Sequence, residues 1–127
     1  MEGRPTRAEV DLGCIAHNLR VARQAVGPRT AVMAVVKANA YGHGAVPVAR
    51  AALAAGAGWL GVATVEEGIE LRRAGIAAPV LVLGWVPPWQ VAEALAHGLV
   101  LTLFSLEDAR VVSAAARRRD RPARVHV

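Results

Sequence analysis

Lys37 is the only lysine among the 15 Lys and Arg positions of the chain. Every other cationic position is arginine. A guanidinium cannot be deprotonated in a protein, whereas a lysine amine can lose its proton and attack a carbonyl carbon. Lys37 closes an apolar run, residues 31–36, and precedes Ala38-Asn39-Ala40-Tyr41-Gly42-His43-Gly44. A hydrophobic strand that delivers one amine to a glycine-containing turn is how a Schiff-base lysine would be presented. The competing reading is a surface charge that snorkels from a strand end and survives as lysine by compositional drift.

The neighbouring polar residues divide by the same reasoning. His43 stands between two glycines and reads as a structural hydrogen-bonding group, and Asn39 as the residue that orders the turn. His17, His97 and His126 are isolated and read as surface or helix-end residues. Trp85 and Trp89 flank Pro87-Pro88, and packing explains them better than a pocket border. No metal site is expected.

Around this turn the chain alternates apolar runs with amphipathic helices. An extended segment at residues 8–11 leads to a helix over 12–26, with Ile15, Leu19 and Ala22 on one face. Asp11 can cap its start and Gly27-Pro28 stops it. Strands are predicted at 31–36, 59–63, 80–83, 99–103 and 123–127. Helices are predicted at 46–55, from Thr64 to Ala74-Gly75, from the Pro87-Pro88 region to His97-Gly98, and from Ser105 to about Arg118. Thr64 and Glu67 stand at the positions of a capping box. Proline in the first helical turn fits the third of these helices. The strands are apolar throughout, as parallel strands buried on both faces should be. Repeated βα units mean an α/β architecture, either an open doubly wound sheet or a (β/α)8 barrel, and periodicity does not separate the two. A complete barrel takes about 250 residues, so 127 residues hold about half of one. The organisation expected is an N-terminal extended segment and helix over 1–30 and the first half of a barrel over 31–127, the chain being the N-terminal part of a longer protein.

Composition narrows the class. Hydrophobic residues make up 54% and aromatics only 4%, a palette of helix-and-parallel-strand packing. The formal charge is +5, with Arg117, Arg118, Arg119, Arg121 and Arg124 crowded near the end. Such a cluster is either a nucleic-acid patch or a solvated helix end that complements the helix dipole. No aromatic residue interleaves with the arginines as a stacking surface would need, so no nucleic-acid partner is expected. The single cysteine, Cys14, excludes an intrachain disulfide. The polar opening Met1-Glu2-Gly3-Arg4-Pro5 is not a secretory leader. No apolar run approaches the ~18 residues of a membrane helix. A cytoplasmic protein without a membrane partner is the expectation.

The nine residues from Val36 to Gly44 resemble the cofactor-lysine signature of the alanine racemases. The resemblance extends to both sides, through Ala8-Glu9-Val10-Asp11-Leu12, Ala49-Arg50, Ala55-Gly56-Ala57, Glu66-Glu67-Gly68, Leu71-Arg72, Ala74-Gly75-Ile76 and Pro79-Val80-Leu81-Val82-Leu83-Gly84. Amino-acid decarboxylases on the same barrel are poorer matches in the tyrosine and Gly-His-Gly part.

The resemblance implies a fold-type III pyridoxal-phosphate enzyme on a (β/α)8 TIM-type barrel, of which only the first five strands are present. It implies a PLP-dependent isomerase that interconverts L- and D-alanine for peptidoglycan, with pyridoxal 5'-phosphate as cofactor and alanine as the small-molecule substrate. Lys37 would carry the cofactor covalently and serve as one of two acid/base groups at the substrate α-carbon. Tyr41 matches the tyrosine whose hydroxyl helps bind the cofactor phosphate, which the resemblance favours over a turn aromatic. Val35 and Leu83 match apolar positions near the pyridine ring. The family's second acid/base tyrosine belongs to the C-terminal domain of the partner subunit, so a homodimer is implied for the full-length protein and no complete reaction for this chain alone. The alternatives are a non-catalytic remnant that binds pyridoxal phosphate, a racemase of another small amino acid such as serine, and, more weakly, a basic nucleic-acid module.

Overall fold

In the computed structural model, which describes residues 6–127, Asp11 starts the first helix. Its carboxylate accepts the amides of Gly13 at 2.8 Å and Cys14 at 3.2 Å, and helix α1 runs Leu12–Val26. Gly27, at φ 78°, ends it. The segment at residues 8–11, expected to be extended, pairs with no strand, and Asp11, the cap, has extended backbone. Residues 1–5, where a leader was sought, lie outside the described residues.

Five strands follow: β1 Met33–Val35, β2 Trp59–Val62, β3 Val80–Val82, β4 Val100–Thr102 and β5 Val125–His126. Between them lie a short helical turn α2 Lys37–Tyr41, then α3 Ala45–Ala54, α4 Val65–Arg73, α5 Pro88–Ala96 and α6 Leu106–Arg118. Ser105 caps α6 through the Asp108 amide, and Thr64 and Glu67 form the capping box of α4. The strands are shorter than their apolar runs because run ends serve as connections. Leu83 leaves β3 yet still donates its amide to Val62 at 2.8 Å, and Leu103 leaves β4 yet donates to His126 at 2.9 Å.

The sheet order is β1-β2-β3-β4-β5, every neighbouring pair parallel. A doubly wound sheet reverses its strand order at a switch point. Here each βα unit adds its strand beyond the last, which is barrel winding. The order thus decides what periodicity left open.

The two faces of the sheet differ. Val36, Leu60, Val62, Val80, Val82 and Leu101 are buried beneath Val65, Ile69, Leu71, Val91 and Val112 of the helices. Each such side chain contributes about 1.5–3 kcal/mol when fully removed from water. The opposite face carries Met33, Trp59, Leu81 and Val100, which line one concavity. It is not buried throughout as expected from the unbroken apolar runs: Val35 remains 39% exposed. The five strands cover that face on one side only, and alternation along each strand sends every second residue there.

At the N-terminal end of the sheet Arg72 gathers two loops. Its guanidinium donates to the carbonyls of Ile76 (2.7 Å), Ala78 (2.8 Å), His97 (2.9 Å) and Gly98 (3.3 Å).

Candidate functional site

Lys37 is half-buried at the C-terminal end of β1. The strand end is anchored by the Val36 amide, which donates to the Gly61 carbonyl at 2.8 Å. From Ala38 the chain winds the other way. Ala38, Asn39, Ala40 and Tyr41 have φ of 50°, 55°, 51° and 55°, a left-handed helical turn made without glycine. Left-handed backbone costs roughly 1–2 kcal/mol for each residue with a side chain, so the surroundings must impose it.

The imposing contacts are specific. Ala40 donates its amide to the Val36 carbonyl at 2.9 Å, and Gly42 to Ala38 at 3.1 Å. Asn39 Oδ1 accepts the Ala45 amide at 2.8 Å, which caps α3 from within the turn. His43 Nδ1 lies 2.9 Å from the Ala40 carbonyl and donates to it. Both residues thus have the structural roles expected of them. Glu67 reaches the turn from α4: its Oε1 accepts the Ala38 amide at 2.8 Å, and its Oε2 accepts the Ala63 amide at 2.7 Å.

Val35 and Leu83 come together over Gly61. A Cβ built on Gly61 would lie 3.3 Å from Leu83 Cδ1 and 3.4 Å from Val35 Cγ2. Met33 Sδ would be nearer still, at 3.0 Å, so apolar side chains crowd the bare backbone of Gly61, with Val35 two residues before Lys37 in the chain. Tyr41, 60% exposed, stands at the end of the left-handed turn. An amine, an apolar floor beside it and a hydroxyl on the adjoining turn fit a flat carbonyl-bearing cofactor with a polar tail.

Other rim residues separate from this group. Trp85 Nε1 donates to Asp108 Oδ1 at 3.1 Å, and Asp108 Oδ2 accepts the Phe104 amide at 3.0 Å. Those two donors hold the Asp108 carboxyl below its ordinary range, the Phe104 amide first. Trp89 is 79% exposed and is not packed as expected, because it occupies the solvent side of the first turn of α5. Gln90 donates to Glu66, linking α5 to α4. Cys14 is exposed, and the hydrogen bond and charge of Asp11 raise its thiol, which disfavours the nucleophilic thiolate. His17 and His126 are exposed, and His97 caps the end of α5.

Sequence reasoning gave Glu67 a capping-box position and a place in the Glu66-Glu67-Gly68 resemblance, with no contact to the lysine turn. The bond to Ala38 spans 29 residues, and no local pattern encodes it. The left-handed turn carried only one signal, Asn39, a residue that tolerates such backbone.

Parallel strands in sequential order, with one amine at the C-terminal end of the first, define a lysine-bearing segment of a (β/α) barrel. The family described as "Alanine racemase, N-terminal domain" matches residues 10–127. The chain belongs to the alanine racemase family. It is 54% identical over 124 residues to an alanine racemase of Symbiobacterium thermophilum, covering 98% of this chain and 33% of that one. The crystal structure of the alanine racemase from the D-cycloserine producer Streptomyces lavendulae superposes with a TM-score of 0.87 at 47% identity, covering 97% of this chain and 32% of that one. The alanine racemase of Bacillus anthracis, solved with bound L-Ala-P, gives a TM-score of 0.82 at 41% identity, over 93% of this chain and 30% of that one. The chain spans about a third of the length of the relatives it matches. Among the described residues no helix is long and apolar enough to cross a membrane.

Proposed function

We propose that this chain supplies the cofactor-lysine portion of a pyridoxal-phosphate-dependent alanine racemase. The observation that carries the reading is the placement of Lys37. The chain's one lysine lies two residues beyond β1 and opens into a left-handed turn fixed by contacts from two other elements. The C-terminal ends of barrel strands are where catalytic side chains collect.

In this reading Lys37 would hold the cofactor through Nζ, and its amine would take or return the proton at the substrate α-carbon. The cofactor, when bound, withdraws the electron pair left behind as the α-proton departs. Val35 and Leu83 would shield the ring side from water, and the Tyr41 hydroxyl would donate to the phosphate. The reaction interconverts L- and D-alanine for peptidoglycan in a cytoplasmic homodimer of the full-length protein. The 127-residue chain alone lacks the second proton donor and does not racemise.

Incubation of the chain with pyridoxal phosphate, borohydride reduction and peptide mapping tests the assignment. Label is expected on Lys37. Label confined to the N-terminal amine would overturn it.

A further inference from the structure

We infer that Glu67 is a positioning residue for Lys37: its carboxylate ties the first residue of the left-handed turn to the end of β2 and thereby fixes the direction of the amine. The inference rests on the reading of Lys37 as the cofactor-bearing residue.

In an ordinary capping box the N3 glutamate returns to the N-cap amide. Here that bond, to Thr64, is the long one at 3.4 Å. The two short bonds, 2.7 Å to Ala63 and 2.8 Å to Ala38, go to rim amides instead. A carboxylate has two acceptor oxygens, and Glu67 divides them between the ends of two neighbouring strands. Charge-assisted bonds of this kind are roughly twice as strong as neutral ones.

The position of the Ala38 bond matters most. Handedness reverses at Ala38, immediately after Lys37. Asn39 and His43 hold the parts of the turn further along, through Ala45 and Ala40. At the end next to Lys37 the side-chain contact comes from Glu67. Released there, the turn can relax toward right-handed backbone, which redirects the Lys37 side chain at the end of the turn it opens.

Three variants of the chain separate positioning from general stability. Glu67→Ala removes both acceptors. Glu67→Gln keeps one acceptor oxygen and turns the other site into a donor. Thr64→Ala removes the cap of α4, whose hydroxyl accepts the Glu67 amide, but leaves the carboxylate in place. Two readouts are taken on each: amide hydrogen exchange at Ala38 without cofactor, and pyridoxal-phosphate label trapped on Lys37 by borohydride at a fixed cofactor concentration. Both methods tolerate an oligomeric sample. Glu67→Ala is expected to speed Ala38 exchange and to cut the trapped label about ten-fold, the effect of one charge-assisted bond. Glu67→Gln falls between it and the parent. Thr64→Ala, although its melting temperature drops as well, keeps parental exchange and label. Equal label in Glu67→Ala and Thr64→Ala would overturn the inference, because loss would then track stability. Absence of label on Lys37 in the parent chain would sink the cofactor reading instead, and unchanged Ala38 exchange in Glu67→Ala would still overturn the clamp.

Discussion

Gly84 stands against the carbonyl oxygen of Ala63, so close that a methyl on its Cα would lie 2.5 Å from that oxygen. The contact brings the chain leaving β3 onto the chain leaving β2, at the rim where Glu67 also holds the Ala63 amide. Glycine is needed here for close approach of two backbones. Gly84→Ala forces the two strand ends apart. A loss of about 1–3 kcal/mol is expected, as for other overpacked sites, with a melting temperature lowered by several degrees. A thermal melt within a degree of the parent would contradict the contact.

Tyr41 tests the far end of the same turn. It is largely solvent-exposed, so the hydroxyl contributes little to folding. It is the last left-handed residue of the turn, and in the proposed reading its hydroxyl would meet the cofactor phosphate. Tyr41→Phe is expected to weaken retention of pyridoxal phosphate about ten-fold, the low end for one hydrogen bond to a charged group, with circular dichroism unchanged. A cofactor titration of both chains measures this. Equal affinities would leave Tyr41 a turn aromatic.

How much of this was legible from residues alone follows the range of the forces. Asp11, Thr64 and Ser105 act on amides two or three positions away, and each helix start was readable. The apolar runs located all five strands, since Leu60, Val62, Val80 and Val82 are buried against the helices while Leu81 and Val100 are buried on the opposite face. The amine was readable because its residue type is unique in the chain. The left-handed turn was not, because Ala38, Ala40 and Tyr41 have no preference for such backbone. They take it only under contacts from Glu67 and the Val36 carbonyl, one of which arrives from another βα unit. The Trp85–Asp108 bond likewise spans 23 residues. The exposure of Val35 escaped notice because a run of apolar letters does not say which face remains open.

Asp108 is expected to give the rim a response to acid. The Phe104 amide and then the Trp85 indole hold its carboxyl below its ordinary 3.8. A depressed folded value means the carboxylate contributes stability above pH 3.8, and that contribution is lost as pH falls through the lower folded value. Protonation frees the Trp85 indole. Tryptophan fluorescence is expected to change below about pH 3.8, and the change should vanish in Asp108→Asn and in Trp85→Phe. Survival of the same transition in both variants would assign it to another group.

The edges of the sheet govern how the chain behaves by itself. Among the described residues β1 pairs only with β2, and β5 only with β4. Each edge therefore offers a free row of backbone donors and acceptors to another chain. Apolar surface accompanies both: Val35 is 39% exposed on the first strand, Val125 is 41% and Val127 is 95% exposed at the last. The concave face lined by Met33, Trp59, Leu81 and Val100 adjoins them. Exposed apolar patches beside unpaired edges recruit partners or aggregate. The 127-residue chain is expected to elute as oligomers or aggregates in size-exclusion chromatography and to show no turnover in a coupled D-alanine assay. The full-length protein is expected to be a soluble, active dimer. A monodisperse monomer of the 127-residue chain would refute the edge argument, since paired or shielded edges are then required. Robust turnover by the same chain would refute the separate claim that racemisation needs a second proton donor from outside it.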